Sequence, residues 1–166
     1  RPYRGMKLED IEILHALHEW KVEADYSSAV RLLEPFVRQL EQKEDSLANR
    51  NKYYRPLSYL KEKLLLWEIK QQVDSVNVGD SVRPYLKKDM LEGVYCDDGR
   101  RTYYWEGNQM INTLIAYRII KNDPSLCKLK ENMQLYILRT KERGWNTYQA
   151  SSAVATVLTD LLAGSG

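Results

Sequence analysis

The chain has 166 residues, 43% of them hydrophobic and 29% charged, a balance that suits one domain with a buried core and excludes a disordered segment. Its 25 Lys and Arg against 23 Asp and Glu leave a formal net charge of +2, and the charges are interspersed. That excludes the concentrated basic patch a dedicated nucleic-acid or membrane-surface binder needs. A mean hydropathy of −0.56, with no apolar run near eighteen residues, excludes a membrane span.

In chain order, helical periodicity dominates and nothing alternates with period two for long enough to build a sheet. Leu8, Ile11, Leu14, Leu17 and Trp20 mark a first helix running to about Val22. Asp25 and the pair Ser27-Ser28 are good N-caps for a second, marked by Ala29, Leu33, Phe36, Val37 and Leu40. Pro35 inside that pattern either kinks the helix or marks its real start. After the polar stretch 41–55, Pro56 stands at a first helical position for a third helix, with Leu57, Leu60, Leu64 and Trp67, to about Val73. Asp80 or Ser81 caps a shorter fourth to about Leu91. From Val94 to Trp105 β-formers flank Asp98-Gly99, a turn signal that predicts a small hairpin or ordered loop. A fifth helix, 108–121, is apolar on most of its circumference and so is buried on most sides. Asp123-Pro124 open a sixth, and Asn146 or Thr147 caps a seventh with the stripe Ala150, Ala153, Val154, Val157 and Leu161. The expectation is an all-α chain of about seven helices with one short β-hairpin or ordered loop. Residues 1–166 read as a single helical domain, and the start at Arg1, without an initiator methionine or targeting signal, reads as that of a fragment.

The chemistry-bearing residues are few. Cys96 and Cys127 form neither a Cys-x-x-Cys pair nor a disulfide framework and read as ordinary unpaired thiols. His15 and His18, with Glu12 and Glu19 in reach, have the ligand types for a metal, but the spacing matches no established signature; they read as a partly exposed helix face. Cys96-Asp97-Asp98 is the most enzyme-like cluster, since paired carboxylates can divide acid and base roles, yet Asp-Asp-Gly is also ordinary turn chemistry. No phosphate loop or zinc-type spacing occurs, so no catalytic residue, cofactor or metal site is assigned. The rings of Tyr95, Tyr103, Tyr104 and Trp105 form the candidate protein or glycan contact surface, against the commoner fate of packing the loop onto helix ends.

An internal repeat organises the second half. Trp105-x-x-x-Gln109 opens the fifth helix and Trp145-x-x-x-Gln149 the seventh, while the run Leu60 to Trp67 is echoed by Leu129 to Tyr136. Recurring helix pairs imply an αα-hairpin array, with each Trp and Gln stapling a helix entrance to its loop. The closing run Arg143-Gly144-Trp145-Asn146-Thr147-Tyr148-Gln149-Ala150-Ser151-Ser152, followed by Val157-Leu158-Thr159-Asp160-Leu161-Leu162, resembles the end of the thioester-type α/α-toroid domain of bacterial alpha-2-macroglobulin-like proteins. The helices 114–120 and 129–142 fit the same family in order and spacing. The resemblance implies a partial toroid, its C-terminal part, within a large multidomain cell-envelope protein that traps proteases. Its partners would be proteases and other domains of the same parent. The family's reactive motif is Cys-x-Glu-Gln; neither Cys96 nor Cys127 begins one, so no thioester residue is carried over. The implied role is non-catalytic, structural and interaction-based. The alternatives are a toroid enzyme acting on glycans or isoprenoids through Asp97 and Asp98, and a helical-repeat adaptor.

Overall fold

In the computed structural model, residues 5–102, 108–140 and 148–164 are described. Among them lie seven α-helices and one two-stranded antiparallel sheet, an all-α fold with a short β-hairpin. The chain divides into two compact units, one of Arg1–Val78 with Gly99–Tyr103 and one of Gly79–Asp98 with Tyr104–Gly166.

The first unit holds α1 (Leu8–Glu19), α2 (Tyr26–Arg50) and α3 (Leu60–Asp74), all three packed on one another. Asp10 caps the start of α1, its carboxylate accepting from the Lys7 amide at 2.9 Å. At α2 the Asp25 carboxylate accepts from the Ser28 amide at 3.1 Å and its hydroxyl at 2.6 Å, and these donors hold its pKa below the usual carboxylate value. The helix then runs straight past Pro35 for 25 residues. The ring only removes the N–H that the Arg31 carbonyl would have accepted, a local loss outweighed by the burial of Val30, Leu33 and Val37. Ile11, Leu60, Leu64, Leu66 and Ile69 complete this core at 1% exposure or less.

Pro56 does not open α3. Residues 54–59 are not helical, because the Pro56 carbonyl, which a helix starting there would offer to the Leu60 amide, is taken by Arg101. Glu44, on α2 and itself buried, accepts from the Leu57 amide at 2.7 Å and from the Tyr54 hydroxyl at 2.8 and 2.9 Å. Leu57 forms a parallel bridge with Arg101; the Ser58 amide donates to the Arg101 carbonyl at 2.7 Å and the Arg101 amide to the Pro56 carbonyl at 3.3 Å. Arg100 adds a 2.6 Å ion pair to Asp45. Arg100 and Arg101 thus stitch onto α2 and the α2–α3 loop of the first unit.

The second unit begins with α4 (Gly79–Val82), which a 3-10 turn, Arg83–Tyr85, ends well short of the expected Leu91. Pro84 lacks the N–H to continue an α-helix. The hairpin therefore lies upstream of the Asp98-Gly99 turn signal. It pairs β1 (Leu86–Lys88) with β2 (Val94–Cys96), Leu86 opposite Cys96 and Lys88 opposite Val94. Its turn, 89–93, is organised by Asp89, whose carboxylate accepts from the Leu91 and Gly93 amides at 2.9 and 2.8 Å. Arg139 reinforces it by donating to the Leu91 carbonyl at 2.6 Å. Gly99 does adopt a left-handed conformation, φ 73°, in the connection where the chain leaves β2.

Around β2 pack α5 (Asn108–Ile120) and α6 (Cys127–Thr140), with α7 (Tyr148–Gly164) against both helices. As its all-round apolarity requires, α5 buries Met110, Leu114, Ile115, Ala116, Tyr117, Ile119 and Ile120. Asp123 caps the 3-10 turn Pro124–Leu126 that leads into α6, accepting from the Ser125 amide at 3.0 Å. The cap residues expected for α7, Asn146 and Thr147, lie outside the described residues. Tyr117 joins three helices: its hydroxyl donates to Asp160 of α7 at 2.7 Å and accepts from Gln134 of α6 at 3.0 Å. No described helix is long and apolar enough to cross a membrane.

Two outcomes follow from these buried polar groups. Glu44→Ala leaves the Leu57 amide without an acceptor and should cost about 2 kcal/mol in chemical denaturation, with Glu44→Gln, which keeps one acceptor oxygen, costing less. Burial, with the Asp160 carboxylate accepting its proton, pushes the Tyr117 phenol up to about 12 from 10.0. The folded state then holds this proton longer than the unfolded one. Its stabilisation is complete below pH 10 and is lost as pH rises from 10 to 12. Stability profiles of wild type and Tyr117→Phe should therefore converge over that interval.

Candidate functional site

Two places gather the chemistry-bearing side chains, one in each unit. In the second unit, β2 carries Tyr95 and Cys96 on opposite faces, as strand geometry requires. Tyr95 is half-buried and stacks on Tyr136 of α6, ring centroids 5.3 Å apart at 30°. Gln109 of α5 donates to the Tyr136 hydroxyl at 2.8 Å. Two of the residues singled out in the sequence, Tyr95 and Gln109, thus meet on a third, Tyr136, which appears there as the last residue of the echo Leu129 to Tyr136. Tyr103, Tyr104, Trp105, Trp145 and the side chain of Gln149 lie outside the described residues.

Cys96 points the other way and is fully buried. Its amide donates to the Thr113 hydroxyl at 3.0 Å, and that hydroxyl donates to the Gln109 carbonyl at 2.6 Å. Burial, aided by the carboxylates of Asp97 and Asp98, pushes the Cys96 thiol up to about 12. A thiol so held is a small core side chain and a poor nucleophile. The two aspartates following it are half-buried in the strand exit, where the Asp97 amide donates to the Tyr85 carbonyl at 2.9 Å. Cys127, at the start of α6, is exposed and does not pair with Cys96.

The second gathering is in the first unit and centres on His15. The expectation of a partly exposed helix face holds for His18, whose ring meets Tyr26 edge-on at 4.9 Å, but not for His15, which is 8% exposed. The α1–α3 packing draws it inward because Glu68 of α3, itself buried, receives it: His15 Nε2 lies 2.5 Å from Glu68 Oε1. On the other side of the ring, Nδ1 is 3.7 Å from Oε1 of Glu19, whose side chain is 55% exposed. One ligating atom from each of His15, Glu19 and Glu68 lies within 4.8 Å of the others. Glu12, which the sequence also placed in reach of His15, instead pairs with Lys61 at 2.5 Å. The missed residue is Glu68. Its signal is a lone carboxylate at the core spacing of α3, four residues after Leu64 and next to Ile69, where only a buried partner makes a charge tolerable.

No family model, curated protein or solved structure matches this chain.

The thiol environments are directly measurable. At pH 7.5 the native protein should react with a disulfide reagent at one thiol, Cys127, with the second titrating only in denaturant; Cys127→Ser should abolish the native reaction.

Proposed function

We propose that this chain is a non-catalytic structural and interaction domain of an alpha-2-macroglobulin-like protein of the cell envelope, one that entraps or neutralises proteases. The observation that carries this reading is the fate of the segment that chemistry would need. Cys96 is sealed among α5 and α6 with its amide tied to Thr113, and its loop works as a junction holding β2 to the helices. That favours a scaffold over an enzyme acting through Asp97 and Asp98. The all-α organisation, in which α5, α6 and α7 form helices over the segments that carry the sequence resemblance, is compatible with the same reading.

The parent's other domains and its target proteases are the proposed partners. Contact with them is supported by α7, where Leu158, Leu161 and Leu162 are 47%, 41% and 76% exposed on a helix whose one charged side chain is Asp160. Such an uncharged leucine surface is suited to being covered by protein.

The parent protein mixed with an endoprotease tests the reading. A trap leaves the protease active site open, so cleavage of a small peptide substrate should persist while cleavage of a large protein substrate falls. Equal loss of both activities, or loss of neither, counts against entrapment. A mass gain on methylamine treatment of the parent would identify covalent capture through a thioester outside this chain.

A further inference from the structure

A neutral imidazole carries one proton and two nitrogens, yet His15 meets a carboxylate at each. With Glu68 ionised, the 2.5 Å contact places that proton on Nε2, which donates to Glu68. Nδ1 then presents a lone pair toward Glu19 Oε1, an atom that also only accepts. Two acceptors facing one another beside a buried ring are reconciled by a positive charge between them. Their 3.7 Å separation is too long for a hydrogen bond. It is close to the roughly 3.4 Å between two ligands of a tetrahedral ion with bonds of about 2.0–2.1 Å.

Placement and surroundings agree with this. His15 and Glu19 are at i and i+4 on α1, the spacing that puts two side chains on one helix face. Glu68 reaches the far nitrogen from a different helix, as outer carboxylates do when they fix the tautomer and orientation of a metal-bound imidazole. The exposed side chain of Glu19 leaves the outer face open for an ion to enter with its waters.

We propose that His15 Nδ1 and the Glu19 carboxylate bind a divalent ion of the zinc class, with water completing the coordination and Glu68 as the positioning residue behind the ring. The competing source of the missing charge is a second proton on Nδ1, and the experiment separates the two. The full chain, stripped with a chelator, is titrated with ZnCl2 at pH 7.5 and followed by calorimetry and thermal melting. Saturable binding of one equivalent is expected, with a midpoint rise of about 3 °C at tenfold excess over Kd, reversed by EDTA. Glu19→Gln, an exposed substitution compatible with folding, should weaken binding at least tenfold, and His18→Ala should leave it unchanged. Absence of one-to-one binding, as a proton in place of the metal would give, overturns the proposal. So does binding that survives in Glu19→Gln or disappears in His18→Ala.

Discussion

A carboxylate taken out of water must be given donors or a cation, or its desolvation outweighs what the surrounding apolar contacts return. The first unit buries two, Glu44 and Glu68, and much of its geometry follows from how each is satisfied. Glu44 collects the Leu57 amide and the Tyr54 hydroxyl, which draws the α2–α3 connection against α2 and sets where α3 begins. The start of α3 in turn determines that Leu60, Leu64 and Ile69 face α1 and α2. Glu68, on the same face, can then be accommodated only because His15 comes in from α1. In the second unit Tyr117 is the corresponding junction, neutral, with one partner on each neighbouring helix.

The helices themselves are legible in the sequence. Periodic apolar positions and caps such as Asp25 and Asp123 are local, short-range signals, and the elements they mark form where the pattern puts them. One departure occurs where a distant residue competes for backbone groups, the others where a neighbouring side chain does or a proline intervenes. Pro56 has the right chemistry for a helix start, but its carbonyl, which such a helix would offer to the Leu60 amide, accepts from the distant Arg101 amide instead. The hairpin is displaced because Asp89 organises its turn through its own side chain, whereas Asp-Gly at 98–99 turns the chain without pairing strands. For the candidate site only half was readable. His15 and Glu19 share a helix face by spacing alone; Glu68 is 53 residues away from His15, and no periodicity links them.

Function divides along the same line. Two of the groups that look reactive on paper are consumed by packing: Tyr95 by Tyr136, Cys96 by the core between α5 and α6. The histidine whose burial the sequence did not reveal is the one held between two carboxylates. An ion held by His15 and Glu19 on α1, with Glu68 of α3 behind the ring, would couple the packing of α1 on α3 to the ionic composition of the surroundings, without any covalent bond being made or broken.

The discontinuity of the first unit bears on how it can be assembled. Its α2–α3 loop is held by Arg100 and Arg101, which leave the ribosome only after α4 and both strands have been made. Until then, the Ser58 amide and the Pro56 carbonyl lack the neighbours they have in the finished molecule. The three amino-terminal helices are thus complete in sequence before they are complete in structure, and a chain cut after Val78 would end with this seam open.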